Sequence, residues 1–66
     1  MERTTNELIK RLEEYIPDPE TIYGILVYAE TKEERQAIID FIDKGDDVDC
    51  ETIVCLSLEL DLNRNK

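Results

Sequence analysis

The chain has 66 residues, with 17 acidic and 8 basic side chains, no His and a formal net charge of -9. That length allows one domain, residues 1–66, with a small core, because a chain this short hides only about 60% of its extended-state surface on folding. The charge excludes unaided binding to nucleic acid or to an anionic membrane, since both would repel it.

Although 38% of the residues are charged, the 41% that are apolar fall in dense blocks, unlike a disordered acidic chain. Helix one is expected at about 5–16. Thr4-Thr5-Asn6-Glu7 fits a capping box, and Leu8, Ile9, Leu12 and Ile16 recur at helical spacing. Glu7 and Arg11 are placed for an i,i+4 pair, and Pro17 ends the segment.

Asp18-Pro19-Glu20 is a second start: a preferred N-cap, a proline suited to the first helical position and an acid that complements the dipole. The block Ile22-Tyr23-Gly24-Ile25-Leu26-Val27-Tyr28-Ala29 that follows is apolar on every face. It would also suit a buried strand, but the specific start signal favours a helix at about 19–29. Thr31-Lys32-Glu33-Glu34 repeats the capping box and opens helix three, 32–44. Its inward stripe is Ala37, Ile38, Phe41 and Ile42, with Ile39 at the edge, Asp40 and Lys44 paired outside and Gly45 as a left-handed stop.

Asp46, Asp47 and Asp49 form a solvated linker, with Asp49 as the N-cap of helix four at about 50–63. From Leu56 to Leu62 apolar and polar residues alternate strictly, which is a strand signature. Against this, Ile53, Leu56 and Leu60 share a helical face, and Arg64 and Lys66 complement a helix C-terminus. The expected fold is an all-α, four-helix domain, orthogonal or bundle-like. The alternative is α-β-α-β, with strands near 22–29 and 53–62 completed by a dimer. The expected core is Leu8, Leu12, Ile16, Ile22, Ile25, Leu26, Ile38, Phe41, Ile42, Ile53, Leu56 and Leu60.

Catalytic constellations are missing. Without His the chain lacks the usual acid–base group near neutral pH, and Ser57 has no G-x-S-x-G frame. Cys50 and Cys55 have no basic neighbour within four positions and sit too far round a helix for a disulfide, so they read as small buried hydrophobes in a reducing compartment. Two glycines make no phosphate loop, and no cofactor is implied. An EF-hand register with Asp40 first, Gly45 sixth and Glu51 twelfth fails at Ile42 and Lys44. A nonspecific divalent site at Asp46, Asp47 and Asp49 stays open, though a solvated linker is the simpler reading. A helix-turn-helix is disfavoured because residues 49–62 carry four acids and no base.

The second and fourth segments hold too many apolar residues for surface helices: seven in eight positions from 22 to 29, and seven in ten from 53 to 62. A surface helix needs only three or four in seven. Tyr23, Val27, Tyr28, Leu58 and Leu62 are therefore the candidate interface, covered by a second copy or a partner protein. The function expected first is a non-enzymatic, self-associating interaction module. An acidic inhibitor or antirepressor that imitates DNA against a DNA-binding protein comes second, and a small-ligand or metal-responsive regulator third. Met1-Glu2-Arg3-Thr4 offers no signal-peptide core and Ile22–Ala29 is too short to cross a bilayer, so a cytoplasmic location is expected.

Overall fold

Where each helix begins and ends follows from which groups satisfy its terminal amides and carbonyls. The computed structural model describes residues 3–45 and 47–64, and they form four α-helices: α1 Arg3–Tyr15, α2 Pro19–Tyr28, α3 Lys32–Lys44 and α4 Cys50–Arg64. No strand occurs among the described residues, which removes the α-β-α-β alternative.

Three of the starts are capped as the residues imply. Asp18 accepts from the Glu20 amide at 3.2 Å and from the Thr21 hydroxyl at 3.0 Å, with Pro19 opening the helix. Thr31 and Glu34 form a reciprocal box, at 3.1 Å from the Glu34 amide and 3.0 Å from the Thr31 amide. Asp49 and Thr52 form a second reciprocal pair: Asp49 accepts from the Thr52 amide at 2.8 Å, and the Thr52 hydroxyl accepts from the Asp49 amide at 3.0 Å. Gly45 ends α3 at φ 74, the left-handed conformation that a residue with a Cβ adopts at a cost.

The box expected at Thr4 does not form. The helix is already running at Arg3, so Thr4 lies within it and is buried, while Glu7 pairs with Arg3 at 3.7 Å. Nor does Glu7 form a carboxylate pair with Arg11. The Arg11 guanidinium forks onto both Asp43 oxygens, at 2.9 and 3.2 Å, and reaches Glu7 only at its backbone carbonyl. Asp40 accepts from Gln36 at 3.1 Å rather than pairing with Lys44.

α1 packs chiefly on α3, and α2 on α4; α3 also meets α4, and α1 meets α2. The helices thus close a ring in the order α1, α3, α4, α2. Two links fix α1 beside α3 in the same direction: Arg35 donates to the Thr5 hydroxyl at 2.8 Å near their starts, and Arg11 holds Asp43 near their ends. Inside the ring sits one apolar cluster of Leu8, Leu12, Ile16, Ile22, Ile25, Ala29, Ile38, Ile39, Ile42 and Ile53. Leu26, Phe41, Leu56 and Leu60 pack on it half-buried, as do Val48, Val54 and Cys50.

Two members of this cluster were expected elsewhere or not at all. Ile39, placed at the edge of α3, is buried, and Ala29 sits in the cluster at the end of α2. Ser57 is also fully buried, its hydroxyl donating to the Val54 carbonyl at 2.7 Å one turn back. A small residue there lets α4 approach its neighbours, and the local bond removes the desolvation penalty of the hydroxyl. No helix among the described residues is long and apolar enough to cross a membrane.

Candidate functional site

α2 and α4 divide their apolar residues between two faces. On α2, Ile22, Ile25 and Ala29 point to the core, which turns Tyr23 and Val27, four residues apart, outward. On α4, Ile53 and Ser57 point inward, and Leu58 and Leu62, again four apart, turn outward. Apolar residues therefore run round most of α4, and its strict alternation from Leu56 to Leu62 is a helix with two greasy faces. Leu56 and Leu60 line the inner one, half-buried.

The exposures are large. Tyr23, Val27 and Leu62 keep 65%, 70% and 65% of their surface, and Tyr28 and Leu58 keep 38% each. Tyr15, on α1, is also at the surface. The two outer stripes end side by side, because Arg64 at the end of α4 donates to the Tyr28 carbonyl at the end of α2, at 3.1 Å. No charged residue occurs from 21 to 29 or from 52 to 58, in a chain where 38% of residues are charged. Gly24 lies in the middle of this stretch of α2. A Cβ built there meets nothing within 4 Å, and its φ is not of the left-handed kind, so nothing inside the chain requires a glycine.

A second set of residues, invisible to local sequence patterns, locks the corner between α2 and α3. α2 ends at Ala29 without a glycine stop, leaving carbonyls that need donors. Arg35 supplies them, donating to the Ala29 carbonyl at 2.7 Å and the Leu26 carbonyl at 2.9 Å while holding Thr5. Its positive charge also sits at the negative end of the α2 dipole. Arg64 closes the corner from the other side, bonding Glu34 at 2.8 Å, Glu30 at 3.4 Å and the carboxylate of Asp61.

These contacts set the local electrostatics. The Glu34 carboxyl is held below its ordinary value of 4.5, first by the Thr31 amide and then by Arg64. The hydrogen bond from Arg11 likewise lowers Asp43. Every buried side-chain nitrogen or oxygen among the described residues has a partner.

The remaining candidates are distributed elsewhere. Cys50 is half-buried, but Cys55 is exposed, which corrects the expectation that both are core residues: their spacing puts them on different faces of α4. The divalent site left open at Asp46, Asp47 and Asp49, against the simpler reading of a solvated linker, includes Asp46, which lies outside the described residues. Asp49 spends one carboxylate oxygen on the Thr52 amide. A groove of about 450 Å³ runs between Phe41 of α3 and the flank of α4, where half-buried Leu56 lies beside exposed Glu51, Cys55 and Glu59. Set against protein-family models, curated proteins and solved structures, the chain matches none of them.

Proposed function

We propose that the chain is a non-enzymatic, cytoplasmic interaction module that associates with a second copy of itself through the outer faces of α2 and α4. The observation that carries this reading is the exposed apolar surface of Tyr23, Val27, Tyr28, Leu58 and Leu62 on two neighbouring helices. The total exposed surface, 4503 Å², is close to the roughly 4,300 Å² that a compact chain of this mass presents. These side chains are thus not left out by incomplete collapse; they remain outside a core that is already closed.

A second copy suits the face because two like apolar stripes cover each other in a self-complementary contact. Sedimentation over a concentration series tests the proposal. The wild-type chain is expected to shift toward a dimer in the micromolar range, and Val27→Glu, at an exposed position, is expected to keep the helices folded and abolish the shift. A wild-type chain that stays monomeric at high micromolar concentration would overturn the reading.

A further inference from the structure

We propose that the groove between α3 and α4 seats a basic–apolar–basic helix of another protein. This surface adjoins the α2–α4 face along α4, where Glu51, Cys55 and Glu59 lie beside Leu58 and Leu62, and extends from there toward α3. Its floor is apolar: Phe41, the only phenylalanine, and Leu56 are half-buried against the core and leave their outer surface in the groove. Its rim is acidic and ordered. Glu51, Cys55 and Glu59 lie four residues apart on α4, so they form one exposed ladder with a carboxylate at each end and a thiol between.

The two glutamates stand about 12 Å apart along the helix axis, and bases seven or eight positions apart on a partner helix span about the same length. Neither glutamate takes part in any ion pair among the described residues. An apolar side chain midway between two such bases would drop onto Phe41 and Leu56, in the manner of an amphipathic helix in a groove. Burial of that side chain supplies the affinity, and the two carboxylates supply register and rate of encounter, since exposed ion pairs add little by themselves.

The occupant is not a second copy. The chain's only bases seven or eight apart within one helix are Arg3 with Lys10 or Arg11, and the residues midway between them are Asn6 and Glu7. Three of the four described arginines, 11, 35 and 64, are moreover committed to bonds between helices.

The probe is a dye-labelled, alanine-based helical peptide about 16 residues long, with two Lys seven apart and Leu midway. Its control carries Glu at both Lys positions. Fluorescence anisotropy should give a dissociation constant in the tens of micromolar for the Lys peptide at low salt, and at least about threefold weaker binding to E51Q/E59Q, whose changes are exposed and spare the fold. In a Cys50→Ala background, saturating Lys peptide should slow alkylation of Cys55 at least about fivefold. Absence of Lys-peptide binding, equal binding of the Glu control, equal binding to E51Q/E59Q or an unchanged alkylation rate would each overturn the proposal. Val27→Glu should leave the peptide affinity intact, so failure here and failure of the self-association reading are told apart.

Discussion

Arg35 ties three helices together through one side chain. Its guanidinium donates to two carbonyls at the end of α2 and to a hydroxyl on α1, three acceptors that a rigid planar fork reaches at once. Arg35→Ala leaves the Leu26 and Ala29 carbonyls without those donors. The expected loss is about 3 kcal/mol, large against the roughly 3–10 kcal/mol that a domain of this size commands. Arg35→Lys should recover less than half of it, because one ammonium cannot span the three acceptors. Urea denaturation of the two variants beside the wild type measures both effects.

Glu34 adds a pH dependence of definite sign. Its folded pKa lies below its ordinary 4.5, so the stability it contributes is complete above that value and is lost as pH falls below it, toward the lowered folded value. Asp43, lowered from 3.8 by Arg11, acts in the same sense at lower pH. Thermal melts from pH 7 to 2 should therefore drop on the acid side of about 4.5, and Glu34→Gln should flatten the upper part of that drop. A Gln variant with the same acid limb as the wild type would take Glu34 out of the account.

At the scale of the element, α2 holds the sharpest test. Gly24 is a helix-interior glycine with open space where a Cβ would go. Gly24→Ala should therefore stabilise the isolated fold by about 0.5–1 kcal/mol. On a face that a second copy approaches closely, the same methyl intrudes, so the substitution should raise the melting temperature of dilute protein while weakening association. Melting and sedimentation of one variant read both. A gain in stability with no change in association would place Gly24 outside the contact.

The helix starts were legible because capping is local. Asp18, Thr31 and Asp49 each bond an amide two or three residues on, so the signal and the structure occupy the same few positions. The same local rule misplaced the start of α1. Thr4 has the right neighbours for a cap, yet the helix is already running at Arg3 and buries it. What could not be read is whatever links positions far apart. The partners of Arg11, Arg35 and Arg64 on other helices lie 32, 30 and 36 residues away, and nothing in a local window distinguishes these arginines from solubilising ones. Ser57 was hidden for a related reason: a lone hydroxyl in an apolar block reads as polar until packing shows that its small size is what the core uses. The exposed apolar residues were anticipated only by counting, since four short helices cannot surround two of their own. The Phe41 groove needed α3 and α4 placed side by side.

Across the whole molecule the charges are sorted. Of the described bases, Arg3, Arg11 and Arg64 pair with acids of the chain itself, so the net charge of -9 resides in the acids left over. Two copies therefore repel at a distance, although the side chains that would meet on the α2–α4 face are apolar. Raising salt from about 0.1 M to about 1 M shortens the screening length from about 10 Å to about 3 Å, so it should tighten self-association. Sedimentation at both salt concentrations measures this. Binding of the basic peptide to the Glu51–Glu59 groove should move the opposite way, and the opposed salt signs separate the two surfaces. Dimers that dissociate on adding salt would argue that copies meet through ion pairs and not through the apolar face.

The corner after α2 is closed by distant parts of the chain. No glycine or proline tells α2 where to stop; its last turn is held by Arg35 from α3 and by Arg64 from the far end of α4, 36 residues beyond Tyr28. A helix this short does not persist alone in water, so its boundary belongs to the packed assembly of helices and not to its own sequence.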